Sequence, residues 1–261
     1  MINNPKSLGN EYIIIKLLGE GAFGKVYKVQ KKSNKKHYAL KIEGKDSNTK
    51  LLKNEINIYR YLSSIKEVSN LYWYGVNSGL RYGVFDLYEN DLQNIVIKKD
   101  NIQNICLQML VIIKKIHDKK IIHRDLKPDN FMIKNNQIYI IDFGLSRSYI
   151  NNNKHIEKKL KNNITGNVVY CSPFVQKKIE SSRRDDLISL GYCFIYLLKK
   201  SLPWNKNTIK RKLTYDSASL YMFCKYKFIF YYFKYCFSLS FHEEPDYDKL
   251  LNLFNLYPII T

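Results

Sequence analysis

His123-Arg124-Asp125-Leu126-Lys127-Pro128-Asp129-Asn130, followed twelve residues on by Asp142-Phe143-Gly144, is the stretch on which the reading of this chain turns. The pattern H-R-D-L-x-x-x-N and then D-F-G sets a carboxylate, an amide and a second carboxylate at fixed separations. Transfer of a phosphoryl group to a hydroxyl needs such a set. One carboxylate must take the hydroxyl proton and aim the nucleophile, for which Asp125 is the candidate. Magnesium needs oxygen ligands, for which Asn130 and Asp142 are the candidates. Between them, Phe131-Met132-Ile133 and Ile138-Tyr139-Ile140-Ile141 flank Asn135-Asn136 and predict a short hairpin. That hairpin is expected to hold Asp125 and Asp142 at opposite ends of one rigid unit. A chance H-R-D before a strand would not bring eight matching residues and a correctly spaced D-F-G.

Upstream, residues 12–43 read as strands interrupted by Gly19-Glu20-Gly21-Ala22-Phe23-Gly24. Glycines there permit a tight turn and let main-chain N–H groups approach phosphates. Alone, G-x-G-x-x-G fits a dinucleotide site equally well, but that version needs a helix next, and here a strand-like run with Val26 follows. Ala39-Leu40-Lys41-Ile42 then offers Lys41 to the α- and β-phosphates of ATP. Leu51, Leu52, Ile58 and Leu62 at helical spacing place Glu55 on a helix over residues 49–63, as the partner of Lys41. Leu71–Val76 and Arg81–Leu87 read as two further strands turned at Asn77-Ser78-Gly79. In the connection Phe85-Asp86-Leu87-Tyr88, main-chain groups at Asp86 and Tyr88 are expected to meet the adenine edge. With no long linker, two lobes are expected, about 1–87 and 88–261, forming one domain over 1–261 with the nucleotide between them.

Downstream, Ile102, Ile105, Cys106, Met109, Ile112, Ile113 and Ile116 predict a buried helix leading into the catalytic stretch. Residues 142–173, with Asn151-Asn152-Asn153 and Asn162-Asn163, read as a long polar loop. Residues 185–200 predict an apolar helix ended before Pro203-Trp204, and 219–237 and 247–256 predict further helices.

With 261 residues, 45% hydrophobic and 14% aromatic, the chain can bury a substantial core and is not disordered. Its formal charge is +20, and 36 of its 43 basic residues are lysines. Their scatter, without one basic block, fits compositional bias. The net field still favours acidic protein substrates, with no clear nucleic-acid or membrane site. Five cysteines without C-x-x-C spacing suggest reduced thiols, and Met1 to Lys6 shows no secretory signal. The expectation is an intracellular protein, cytoplasmic or nuclear, acting as a monomer.

With these residues laid out, the chain resembles a protein kinase, and more narrowly the casein kinase 1 family. Ser182-Arg183-Arg184-Asp185-Asp186-Leu187-Ile188-Ser189-Leu190-Gly191-Tyr192 is similar to that family's S-R-R-D-D-L-E-S-L-G-Y. Leu202-Pro203-Trp204 and Glu244-Pro245-Asp246-Tyr247 are similar to its L-P-W and A-P-D-Y. Thr165-Gly166 with Tyr170-Cys171-Ser172 resembles T-G-T-A-R-Y-A-S, and an ordinary A-P-E is absent, as in that family. The resemblance covers about residues 12 to 254. It implies an α+β bilobal fold, with a five-stranded antiparallel N-lobe sheet carrying one helix and a mainly α-helical C-lobe. It also implies a serine/threonine kinase using ATP and Mg2+. Asp125 would be the base, Lys127 would lie near the transferred phosphoryl group, Lys41 and Glu55 would form the catalytic pair, and Asp186 would brace the catalytic loop. The nucleotide-binding set would be Gly19, Glu20, Gly21, Ala22, Phe23, Gly24, Val26, Ala39, Lys41, Asp86 and Tyr88, with Asn130 and Asp142 on the metal. Phosphorylation of the activation loop would not be needed.

Val169 departs from the family by replacing the arginine that helps bind an anion, and an isopropyl group cannot replace a bidentate guanidinium. A preference for substrates already phosphorylated is therefore not expected. Pro173 replaces an Ile, and the segment after Trp204 is shorter than usual. A vaccinia-related-type kinase is the runner-up. A pseudokinase scaffold is opposed by the presence of Lys41, Asp125 and Asp142 together, and a small-molecule kinase by the Ser182–Tyr192 run.

Overall fold

A computed structural model of the chain describes residues 7–8, 11–21, 24–44, 51–77 and 79–259. The chain divides into two compact units, Met1–Glu89 with Ile141–Gly144, and Asn90–Ile140 with Leu145–Thr261.

In the first unit, β1 (Ser7–Leu8), β2 (Tyr12–Gly21), β3 (Gly24–Lys31), β4 (His37–Glu43), β5 (Leu71–Asn77) and β6 (Leu80–Asp86) form an antiparallel sheet. Its order is β1-β2-β3-β4-β6-β5. The expected five strands become six because Leu8 pairs with Tyr12. Alternation along the strands sends Tyr27, Val29, Leu40, Ile42 and Val84 to one buried face. On the other side of β4, Ala39 and Lys41 are left half-buried. The helix α1 (Leu51–Tyr61) buries Leu52, Glu55, Ile56 and Tyr59, so Glu55 lies on its inward face. At Gly83 a side chain would collide with Phe85 at 2.7 Å and meet Ile56 of α1 at 3.2 Å, so helix and sheet approach closely there.

The second unit contains β7 (Asn90–Asp91), α2 (Lys99–Asp118), β8 (Ile121–Ile122), β9 (Phe131–Lys134) and β10 (Gln137–Ile140). It continues with β11 (Arg147–Ser148), β12 (Ile150–Asn151), β13 (Lys154–His155), α3 (Pro173–Gln176), α4 (Arg183–Lys199), α5 (Ser217–Cys224), α6 (Lys227–Ser238) and α7 (Tyr247–Leu256). The centre is α4, buried at nearly every position from Arg183 to Leu197: its later turns are apolar on all sides, and its first turn buries Arg183, Arg184, Asp185 and Asp186 among partners. The Asp185 carboxylate accepts the Ser182 N–H at 2.8 Å at its start. Lys200, at φ +55°, ends it in the left-handed region. Gly191 lets α6 cross closely, because a Cβ there would lie 2.6 Å from the ring of Phe233 and 2.7 Å from that of Tyr232. Phe194, Phe228, Tyr232 and Phe254 fill the surrounding space as tilted and edge-on rings. Each such fully buried ring contributes roughly 1.5–3 kcal/mol over its exposed state.

Three further expectations change. The stretch 219–237 is two helices, because Lys225 adopts φ +67° and its N–H closes onto the Tyr221 carbonyl, ending α5. Residues 142–173 are not one open loop. β11 pairs with β8, and β12 pairs with β13 through Asn152 and Asn153 at φ +47° and +58°. Asparagine tolerates that conformation, which a two-residue hairpin turn demands. The β9–β10 hairpin exists, turned at Asn135 and Asn136 with φ +50° and +60°. It ends at Ile140, however, so Asp125 and Asp142 fall in different compact units instead of capping one. No described helix is long and apolar enough to cross a membrane.

Candidate active site

In the first unit, β4 presents Lys41 to the buried face of α1, where Nζ lies 2.7 Å from Glu55 Oε2 and 3.0 Å from Asp142 Oδ1. Burial opposes charge on Lys41, but the two carboxylates more than offset it and hold its pKa above the usual value. Burial also pushes the Glu55 carboxyl up to about 7, against the pull of Lys41. Both groups are thus shifted upward: the Lys41 shift favours its ammonium and the Glu55 shift favours its neutral acid, because only 2% of the Glu55 side chain is exposed. Asp142 sits at φ +66°, a costly conformation for a residue with a side chain. It is held by the Tyr59 hydroxyl, which accepts its N–H at 3.0 Å. Asn54 donates to the Gly144 carbonyl at 3.0 Å, and the Phe143 ring meets Tyr59 edge-on at 5.0 Å. No motif in the sequence announces Tyr59 or Asn54; Tyr59 follows Glu55 by one turn of α1, on the same face, and Asn54 directly precedes it.

The glycine-rich turn is framed by the pairs Gly19–Val26, Glu20–Lys25 and Gly21–Gly24, with Glu20 and Lys25 in an ion pair at 3.2 Å. Its glycines differ in role. Gly24 has φ +119° and a Cβ there would sit 2.0 Å from the Ile42 carbonyl oxygen, so the strand pairing requires it. Nothing lies within 4 Å of the corresponding positions at Gly19 and Gly21. Ala22 and Phe23 lie outside the described residues. The Asp86 carboxylate is engaged at the sheet edge, accepting from Asn70 N–H at 2.8 Å and from the Tyr72 hydroxyl at 2.8 Å. Tyr88 is half-buried just beyond β6.

In the second unit, Asp125 is 6% exposed and its Oδ1 accepts the Asn167 N–H at 2.7 Å. Lys127 Nζ lies 3.5 Å from Asp125 Oδ2. The Asn130 side chain donates to the Asp125 carbonyl at 2.9 Å, so its remaining amide atom is an oxygen, the hard donor that magnesium takes. Asp142, in the first unit, offers carboxylate oxygens of the same hard type, so each residue by itself fits that ion. Gly166, at φ +82°, lets its loop close onto the catalytic turn, since a Cβ would lie 2.2 Å from the Arg124 carbonyl oxygen.

Beneath the catalytic turn, Asp186 of α4 accepts the His123 N–H at 2.6 Å and the Arg124 N–H at 2.9 Å. His117 Nε2 lies 3.0 Å from the same carboxylate, and its Nδ1 lies 2.5 Å from the Tyr247 hydroxyl. Arg124, itself at φ +69°, donates to the Leu145 carbonyl at 2.6 Å. It shares the buried Glu180 carboxylate with Arg147 and Lys161, at 3.6, 3.4 and 3.6 Å.

Residues 12–247 match the family model described as the protein kinase domain. That span is most of the chain, and the chain belongs to the protein kinase family. The antiparallel sheet carrying one helix in the first unit and the helices of the second are the α+β architecture of that domain.

Proposed function

We propose that this kinase transfers the γ-phosphoryl group of ATP to serine and threonine hydroxyls of acidic proteins, in the manner of casein kinase 1 and without a requirement for prior phosphorylation. The observation that carries this is the setting of Asp125. Its carboxylate is buried, aimed by the Asn167 N–H, and accompanied by Lys127. A carboxylate so held can take the proton of an incoming hydroxyl while Lys127 balances charge on the moving phosphoryl group. Lys41, fixed by Glu55, would hold the α- and β-phosphates, and Gly19 to Gly24, Val26, Ala39 and the main chain at Asp86 and Tyr88 would bind the nucleotide. Asn130 and Asp142 would each offer an oxygen ligand to magnesium, whose charge would offset that of the phosphates.

The casein kinase 1 assignment rests on Ser182–Tyr192, of which Asp186 performs the bracing described above. Absence of priming rests on Val169, whose N–H is spent on Asn167 Oδ1 at 2.8 Å and whose carbonyl accepts from Trp204 at 2.9 Å. We further propose an intracellular monomer. Labelled ATP with a degenerate peptide library, in primed and unprimed acidic versions, tests this reading. Equal or better labelling of unprimed serine peptides supports it, and labelling confined to phosphorylated peptides or to tyrosine overturns it.

A further inference from the structure

Among 36 lysines, Lys212 is fully buried, while its neighbours Lys210 and Arg211 are exposed. It sits in a 3-10 turn, Ile209–Thr214, and points into the protein. Its Nζ donates to the Val168 carbonyl at 2.6 Å and the Cys171 carbonyl at 2.8 Å, and lies 3.4 Å from Cys171 Sγ. These partners are carbonyls and a thiol, with the Trp204 ring centroid 5.9 Å away; among the described residues no carboxylate pairs with the ammonium, and burial pushes its pKa down. Holding a charge in that setting is expensive, and an apolar side chain of the same length would fill the space more cheaply. What the ammonium provides is two directed donors on one loop. Trp204 adds a third, its indole N–H donating to the Val169 carbonyl at 2.9 Å. The loop thus clamped at 168, 169 and 171 is the one whose Asn167 N–H aims the Asp125 carboxylate.

We propose that Lys212 is a positioning residue. Its ammonium, with Trp204, fixes the loop 167–171 and, through Asn167, orients Asp125 toward the substrate hydroxyl. The segment 204–212 is then the structural support of the substrate-facing loop, and its lysine is unavailable to attract a phosphate on the substrate. The proposal rests on the kinase reading above.

The test compares the full chain with Lys212→Met, Lys212→Arg and Trp204→Phe by steady-state kinetics and by amide hydrogen exchange. For Lys212→Met the expectation is a fall in kcat of about tenfold or more, with KM for ATP within about twofold. Exchange at 168–172 should rise about tenfold while α2 and α4 stay protected. Lys212→Arg should recover part of both effects. If Lys212→Met does not fold, Trp204→Phe should show the same pattern at about threefold. Wild-type kcat in a folded Lys212→Met protein, or unchanged exchange at 168–172, overturns the proposal. Should wild-type protein transfer no phosphate, the kinase reading fails by itself. The exchange result then decides separately whether the clamp exists.

Discussion

The Asp186 carboxylate accepts the main-chain N–H of His123 at 2.6 Å across 63 residues of sequence, and one oxygen over it accepts the next N–H, from Arg124. A carboxylate on the central helix thereby fixes two consecutive peptide groups immediately before Asp125. One of them belongs to a residue with φ +69°, so the brace also offsets local strain. Burial alone would raise the Asp186 pKa from its usual 3.8, but His117 and the His123 N–H outweigh burial and hold it lower. The native state therefore favours the anion. Stability from this group is fully present above the unfolded-state value and is lost as pH falls through the lowered one. Asp186→Asn should cost about 3–5 kcal/mol near neutral pH. The gap to wild type should narrow as pH falls below the unfolded-state value of 3.8 and through the lowered native one, where the wild-type carboxylate also takes up a proton. Denaturant unfolding of both proteins across that range checks this, and a gap that stays constant with pH contradicts it.

Asp125→Asn tests the base directly. The amide keeps the size and can still accept the Asn167 N–H, so folding should survive. The rate constant should fall about 10²–10⁴-fold because proton transfer matters in the transition state. ATP affinity, measured by calorimetry, should stay within about twofold. Undiminished turnover would remove Asp125 from its role.

Lys41→Met removes the cation shared by Glu55 and Asp142. Transfer should drop at least about 100-fold, since the phosphates lose their lysine and Asp142 its anchor. Thermal stability should fall less than a broken buried pair implies, because Glu55, already pushed up to about 7, can take a proton. Glu55→Gln should restore part of that stability in the Met variant without restoring activity. Additive losses in the double mutant would contradict this coupling.

Glu180 gathers Arg124, Arg147 and Lys161 around one buried carboxylate. The fold thus contains the anion that orders these cations, and phosphatase treatment should leave wild-type activity unchanged. Glu180→Gln should lower both stability, by about 2–4 kcal/mol, and kcat, with Arg147 contributing little because it is the most exposed of the three. An unchanged unfolding midpoint would show the cluster to be energetically idle.

Strands β2 to β6, β9 and β10 and helices α1, α2, α4 and α7 were legible because apolar periodicity decides which face is buried, and Lys41, Glu55, Asp125 and Asp142 were legible because their chemistry fixes their spacing. What supports them was not. Lys212 is one lysine among many until burial distinguishes it, and Asn167 acts through its N–H, which no side chain announces. The break between α5 and α6 falls at Lys225, a residue with no intrinsic preference for the left-handed region, so tertiary packing decided it. Asn152-Asn153, by contrast, carried a readable turn signal inside a stretch taken as open loop.

The charge of +20 leads to a last expectation. A field of that sign speeds the encounter with acidic substrates more than it strengthens the bound complex, so its effect belongs to kcat/KM and not to kcat. Screening shortens the field's reach to about 8 Å near 0.15 M salt. For an acidic peptide, kcat/KM should therefore fall several-fold between about 0.05 and 0.3 M salt, while a neutral peptide changes little. If Val169 has indeed removed the phosphate reader, primed and unprimed peptides of equal net charge should follow the same salt curve. A steeper curve for the primed peptide would mean that a localised anion site survives elsewhere on the substrate face.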